Sequence, residues 1–273
     1  WAGFNKVAVD NPNAWIRKPI SAEDIRTPSP TNRPISYPYT KLMNSNNSVD
    51  QGAALILTSV GKARSLGIPE DRWVYPHAGT EAWDHLYVSE RDNLYTSPAI
   101  RLASRKLFEL TGFGIDDLDT VDLYSCFPAA VQVSANEIGL TQDRALTVTG
   151  GLTFAGGPLN NYVMHSVART VDLMRDKPGS IGLVTANGGL LTKHALCIYS
   201  TTPPEKPFAW ANLQAEVDAM PRRDVAVDHD GSATVESYVV MYDAAGSLEK
   251  AHAACLLDDG RRTWANVTDL DTV

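Results

Sequence analysis

Gly150-Gly151-Leu152-Thr153-Phe154-Ala155-Gly156-Gly157-Pro158-Leu159 is a glycine-rich connection between two regular segments, and the architecture unfolds outward from it. Upstream, Leu146–Thr149 predicts a short strand. Downstream, Leu159, Val163, Val167 and Val171, then Met174, draw an apolar stripe at helical spacing with Arg169 and Arg175 off it, and Pro178-Gly179 stops the helix. Ile181–Ala186 and Ala195–Ser200 predict apolar strands around a glycine-containing turn. Further upstream, Ser97-Pro98 opens a helix over Ala99–Leu110, Asp119–Tyr124 predicts a strand, and Pro128–Ile138 predicts a helix closed by Gly139. Gly52–Thr58 predicts a buried strand leading into a helical segment from Val60 to Leu66 that Gly67 caps. Alternating strands and helices predict a layered α/β domain with a buried sheet up to about residue 200.

The flanks differ in character. Asn11 to Tyr39 is rich in Pro, Ser and Arg and predicts a loop region. Thr202-Pro203-Pro204-Glu205-Lys206-Pro207 predicts a stiff linker, because successive prolines favour extended backbone. Beyond it, Ser232–Tyr242, Leu248–Leu257 and Arg261–Val267 predict an antiparallel meander, with turns at Asp243–Gly246 and Asp258–Gly260. A barrel related to the oligonucleotide/oligosaccharide-binding fold and an open sheet both fit these residues. The expected units are residues 1–70, 71–203 and 204–273.

Composition narrows the function classes. A net charge of -8 opposes the basic footprint of sequence-independent nucleic-acid binding, so no nucleic acid is expected as a partner. No run reaches the roughly 18 apolar residues of a membrane helix, so no membrane span is expected. Cys126, Cys197 and Cys255 are odd in number, far apart and set in apolar segments, which suits a reducing compartment and predicts a cytoplasmic location. Neither cysteines nor histidines have paired metal-ligand spacing, so no metal is expected. The start at Trp1 has neither an initiating Met nor a signal-peptide pattern and reads as the middle of a longer chain.

The order of motifs from Asn11 to about Thr202 resembles the later part of the thiolase superfamily, particularly the sterol-carrier-protein type. Asn11-Pro12-Asn13-Ala14-Trp15-Ile16-Arg17-Lys18-Pro19-Ile20 is similar to the family's Asn-Pro to Arg-Lys-Pro segment. Asn44–Leu57 is similar to its polar turn before an Asp-Gly-Ala-Ala strand, with Gln51 in place of the Asp. Asp122-Leu123-Tyr124-Ser125-Cys126-Phe127 stands where the family has Asn-Glu-Ala-Phe or His-Asp-Cys-Phe, whose first residue helps hold a catalytic water; here it is Tyr124. Gly150–Leu159 resembles the Gly-Gly to Gly-His-Pro-Leu motif, with Gly157 where the catalytic His belongs. Ile181–Leu190 resembles the segment leading to the Cys-x-Gly-Gly-Gly loop, with Ala186 at the Cys position and Gly188-Gly189 retained.

The resemblance implies the second half of a thiolase-like α/β/α/β/α fold with an added antiparallel β domain, as in type 1 thiolase-like proteins. Residues 1–70 would then end the N-terminal thiolase domain and hold part of the loop domain, and residues 71–203 would form the C-terminal thiolase domain. It also implies coenzyme A or acyl-CoA as substrate or ligand with no tightly bound cofactor, a role in lipid or fatty acid metabolism, the missing N-terminal half as a partner, and a possible homo-oligomer. The nucleophilic cysteine of thiolases belongs to that earlier half.

Thiolase chemistry needs a thiolate, a base for the α-proton and donors on the developing oxyanion. Gly157 has no side chain to move a proton, which slows ordinary thiolase chemistry by roughly 100 to 10,000-fold. Backbone N–H groups near Asn187, Gly188 and Gly189 offer an oxyanion pocket, or simply an ordinary strand turn. Tyr124 and His194 are the substitutes nearest in sequence, though a histidine at a strand end is more often structural. Cys126 reads as a small buried filler and His165 as a packing residue, while His77 and His85 are candidates for the rim of a substrate entrance. Asn47 and Ser48 fall where the resemblance puts a turn near the pantetheine arm of CoA, or else satisfy their own turn. Three roles remain open: an acyltransferase or carbon–carbon lyase with replaced groups, a non-catalytic acyl-CoA or lipid-binding module, and a scaffold.

Overall fold

The computed structural model describes residues 1–269 together with 271 and 272. In chain order the N-terminal stretch carries α1 (Ala2–Asp10), α2 (Ala22–Arg26), β1 (Pro34–Ser36), β2 (Tyr39–Thr40) and α3 (Val60–Ser65). The middle carries β3 (Tyr75–Trp83), α4 (Pro98–Thr111), β4 (Thr120–Asp122), α5 (Pro128–Ile138), α6 (Gly151–Phe154), α7 (Tyr162–Asp176), β5 (Ile181–Gly188) and β6 (Lys193–Ser200). The C-terminal part carries β7 (Ala209–Asn212), α8 (Gln214–Asp218), β8 (Thr234–Tyr242), β9 (Leu248–Leu256) and β10 (Arg262–Val267).

Local chemistry sets the clearest elements. Ser97 caps α4 by accepting from the Ile100 N–H, Pro98 occupies its first turn, and Gly112 closes it at φ 73°. α5 likewise starts at a proline and ends at Gly139, φ 89°. α4 covers one face of a mixed five-stranded sheet of order β4-β5-β6-β3-β7, with α5 packed against α4. On β6 the residues facing α4, His194, Leu196, Ile198 and Ser200, are buried, and they alternate with half-buried Ala195, Cys197 and Tyr199 on the side where α7 lies. Leu107, Val121, Leu123, Leu183, Leu196 and Ile198 are among the residues of the main core.

A second five-stranded sheet has the order β10-β9-β8-β1-β2 and is antiparallel throughout. The meander expected at the C-terminus is therefore present, as an open sheet rather than a closed barrel. Its far edge comes from the stretch that sequence assigned to loop: Tyr37 N–H donates to the Val240 carbonyl, and Ser36 pairs with Met241.

Three expectations need correction. Gly52–Thr58 is not a strand; Ile56 and Leu57 are 92% and 82% exposed. An apolar run signals a preference for burial, but a ladder needs a neighbouring edge, and no strand among the described residues lies beside it. Leu146–Thr149 is a bend, because the amides of Val148 and Thr149 both turn to donate to the Asp122 carboxylate instead of to a neighbouring strand. The buried stripe of α7 is Tyr162, Ser166, Val167, Thr170 and Met174, while Leu159 precedes the helix, exposed and at φ 46°. Past residue 204, β7 pairs in parallel with β3 and adds a strand to the main sheet.

Candidate functional site

The β5–β6 hairpin carries the centre of the site. Its register sets Asn187 opposite His194, Ala186 opposite Ala195 and Gly188 opposite Lys193. Tyr124, Ala186, Asn187 and His194 line one small void of about 10 Å³, near the smallest space that holds a water molecule. Tyr124 reaches it because its N–H donates to Thr185 Oγ1 at 2.8 Å, which ties the end of β4 to β5. Its ring meets Tyr162 edge-on at 5.5 Å, and burial pushes its phenol above the usual tyrosine value. Next to it, Asn187 Nδ2 lies 3.8 Å from Cys126 Sγ, and Asn187 Oδ1 is buried with no hydrogen-bond partner among the described residues. Burial raises the Cys126 thiol to about 11, which favours the filler reading over a thiolate nucleophile.

His194 is almost fully buried, with Nε2 3.3 Å from Asp84 Oδ2 but off the hydrogen-bond line. Asp84 also accepts from Ser97 Oγ and, at 3.0 Å, from the Ala99 N–H, so one carboxylate joins the α4 N-terminus to the hairpin. Burial pushes the Asp84 carboxyl up, but His194, Ser97 and Ala99 together outweigh it and hold the group below the usual carboxylate range. Arg91 completes this side: Nη2 donates to Thr192 Oγ1 at 2.9 Å and Nε to the His85 carbonyl at 3.1 Å.

Gly157 and Asn47 form a second cluster. The Gly157 N–H donates to the Asn46 carbonyl at 2.9 Å, and a Cβ on Gly157 would lie 3.4 Å from Asn47 Oδ1. Ser45 Oγ donates to the Cys126 carbonyl at 3.2 Å, so residues 45–47 bridge the two clusters. Ser48 is exposed and its N–H donates to Asn46 Oδ1 at 3.3 Å, which fits a self-satisfied turn. Gly188 sits at the hairpin mouth, where its carbonyl accepts from the Thr192 N–H. His77 is engaged with the Thr202 carbonyl at 3.0 Å and with the Phe113 ring, away from these clusters. His165 borders a different cavity, of about 320 Å³, together with Gln51, Gly156, Tyr162 and Arg169.

Close packing explains the glycine run. A Cβ on Gly150 would stand 2.4 Å from the Ala8 Cβ, and one on Gly156 2.0 Å from Gln51 Oε1; both glycines have positive φ. Gln51, where the resemblance expects an Asp, donates to the Ala155 carbonyl at 2.9 Å and the Asn13 carbonyl at 3.0 Å, so it locks this loop.

Sequence reasoning missed Asp84, Arg91 and Asp122. Asp122 is buried beneath Tyr124 and accepts from Thr147 Oγ1, Thr149 Oγ1, the Val148 and Thr149 amides and Tyr162 OH, all within 3.1 Å. Burial raises its carboxyl in spite of these bonds. The one sequence signal was an acid inside an otherwise apolar strand, which requires partners wherever it is buried. No group of residues suited to holding a metal ion occurs among those described.

Residues 212–273 match the family model of the thiolase-like protein type 1 additional C-terminal domain. The crystal structure of a monomeric SCP2-thiolase like protein type 1 from Mycobacterium smegmatis superposes with a TM-score of 0.90 at 41% identity, over 99% of this chain and 60% of that one. A 3-ketoacyl-CoA thiolase of Shewanella baltica is 25% identical over 177 residues, 64% of this chain and 43% of the relative. An acetyl-CoA acetyltransferase of Methanocaldococcus jannaschii is 23% identical over 120 residues, 44% of this chain and 29% of the relative. The chain thus spans less than half the length of these two enzymes and three fifths of the solved protein.

Proposed function

Since the chain belongs to the thiolase superfamily, in its type 1 thiolase-like branch with the additional C-terminal domain, we propose that it handles acyl-CoA with a degenerate thiolase catalytic set. The observation that carries this reading is the pair of clusters. The positions where the resemblance expects the catalytic His and the second Cys hold Gly157 and Ala186, while the polar turn at Asn47 still packs against Gly157. In this reading CoA crosses the loop region to the Asn47–Ser48 turn, with its thiol directed towards Gly157 and Gly188. Tyr124, Asn187 and His194 line the reacting end, and no tightly bound cofactor is used.

The first half of the thiolase fold belongs to the same reading as a partner. Support comes from the unpaired apolar stretch Ala54–Thr58 and the groove of about 590 Å³ that it lines with Val60, Ile68, Trp73 and Val171, a surface shaped for burial. A cytoplasmic location is consistent with Cys126, Cys197 and Cys255 all being free thiols. A homo-oligomer has no observation in its favour, and the solved relative is described as monomeric.

The alternative, a non-catalytic acyl-CoA or lipid-binding module, is favoured by one observation: the buried Cys126 thiol, raised to about 11, is a poor substitute nucleophile. Calorimetric titration with acetyl-CoA and a thiolysis assay with acetoacetyl-CoA separate the two. Binding weakened by Asn47→Asp, with turnover of any acyl-CoA, supports the enzyme; the same binding without turnover supports the module. No binding by the protein joined to its first half refutes both.

A further inference from the structure

Arg262 on β10 is fully buried, at 0% exposure, yet its guanidinium belongs to the C-terminal sheet and its partners belong mostly to the main domain. Nε and Nη2 hold Glu236 in a two-pronged pair at 2.7 and 2.9 Å. The remaining hydrogens fan into a curl of backbone carbonyls: Nη1 donates to Ser89 at 2.9 Å, to Arg91 and to Val88, and Nη2 also reaches Asp92 at 3.4 Å. A buried guanidinium is tolerated only when its charge and donors are met, and lysine has no fork to meet this arrangement. Neighbours reinforce the contact: Trp264 Nε1 donates to Ser89 Oγ at 3.0 Å, and the Arg223 N–H to the Glu90 carbonyl at 2.9 Å.

The loop so gripped carries Arg91 towards the hairpin. Arg91 Nη2 donates to Thr192 Oγ1, and Thr192 in turn closes the hairpin by donating its N–H to the Gly188 carbonyl. The Thr192 carbonyl accepts from the Asp84 N–H at 2.8 Å, and Asp84 faces His194. A continuous set of contacts therefore runs from the C-terminal sheet through the carbonyls of residues 88–92 and Arg91 to the turn between Asn187 and His194.

We propose that Arg262 is a positioning residue: it fixes the 88–92 loop so that Arg91 holds the Thr192 turn, and through it the Asn187–His194 pair, in place. The additional domain is in this sense a clamp on the site. The bearing of the clamp on ligand handling rests on the acyl-CoA reading above; the mechanical coupling does not.

The test compares Arg262→Met, Arg262→Lys, Glu236→Gln, Arg91→Met and the Arg262→Met/Arg91→Met double variant by amide hydrogen exchange and by NMR of the His194 ring. Arg262→Met is expected to speed exchange at Thr192 and His194 about tenfold and to shift the His194 ring signals, with α7 unchanged. Arg262→Lys should not rescue it. On the Arg91→Met background, Arg262→Met should add no further change at the hairpin, because both act through one path. Where Arg262→Met fails to fold, Glu236→Gln decides, with a smaller change in the same direction. Unchanged hairpin exchange in the variant that folds, or independent, additive effects of the Arg91 and Arg262 changes, overturns the proposal. Loss of acetyl-CoA binding is scored separately: a coupled hairpin in a protein that binds no CoA refutes the functional reading and leaves the clamp standing.

Discussion

Replacing Asp122 by Ala removes the single acceptor that organises the bend before the glycine run, and its effect can be worked from the partners it leaves. The two contacts among the three hydroxyls, Thr147 to Thr149 at 3.2 Å and Thr149 to Tyr162 at 2.7 Å, take up two of their three donors. The Thr149 N–H keeps Thr147 Oγ1 at 3.2 Å, which leaves two donors, the Val148 N–H and one of the hydroxyls, without the acceptor they had. Each orphaned buried donor costs about 1–3 kcal/mol, and the void left by the carboxylate adds to it, so the expected loss is at least about 3 kcal/mol. Asp122→Asn keeps an acceptor for the amides and relieves a buried charge, so it should stay within about 1 kcal/mol of the parent. Urea unfolding at constant m-value reads both. The pH dependence has a definite sign. Burial raises the native-state carboxyl, so its contribution is fully present below the unfolded value and is lost as pH rises through the native one. The parent should therefore gain on Asp122→Asn as pH is lowered. A loss under about 1 kcal/mol for the Ala variant, or equal losses for Ala and Asn, would refute the organising role.

Gly150→Ala should destabilise by at least about 3 kcal/mol in thermal unfolding, because φ is +105° and the new Cβ meets Ala8 at 2.4 Å, whereas Gly157→Ala, with ordinary φ and 3.4 Å contacts, should fall within about 1 kcal/mol. Gly157→His should not by itself restore thiolysis of acetoacetyl-CoA, because Ala186 and Tyr124 still stand at two other catalytic positions of the resemblance; a large gain from the single change in a spectrophotometric assay would show that only one group had been lost. Asp84→Asn should lower stability near neutral pH, and its difference from the parent should shrink as pH falls through the depressed native value of Asp84, since a depressed carboxyl contributes only while ionised. A difference that stays constant down to acid pH would contradict the Asp84–His194 pairing.

Helices α4 and α5 were legible from local signals alone: a capping serine or proline at one end and a left-handed glycine at the other, with an apolar face between. The order of motifs resembling thiolases anticipated the fold that the solved relative shares. What local patterns cannot carry is the identity of distant partners. The run Gly52–Thr58 looks like any buried strand until the absence of a neighbouring edge among the described residues appears. Leu146–Thr149 looks like a ladder segment until Asp122, more than twenty residues earlier, takes its amides. At the site, the hairpin register could have been drawn from the sequence, and with it the facing of Asn187 and His194. The link from His194 to Asp84 joins segments 110 residues apart and leaves no periodic trace. The approach of Asn47 to Gly157 was not legible either: it follows from two backbone hydrogen bonds, Asn46 N–H to the Leu152 carbonyl and Gly157 N–H to the Asn46 carbonyl, between segments about 110 residues apart.

The second sheet carries a consequence for synthesis. Ser36 finds its partner Met241 only after about 200 further residues have been made, which at ribosomal rates is roughly 10 to 40 s. Throughout that interval β1 and β2 wait as a bare edge, and Pro34 and Pro38 lie in or beside them, the residue type that most effectively denies a foreign strand its hydrogen bonds. Strands β8 to β10 thus finish a sheet begun about 200 residues before them, and a ribosome stalled before β8 would release a chain with the β1–β2 hairpin still unclaimed.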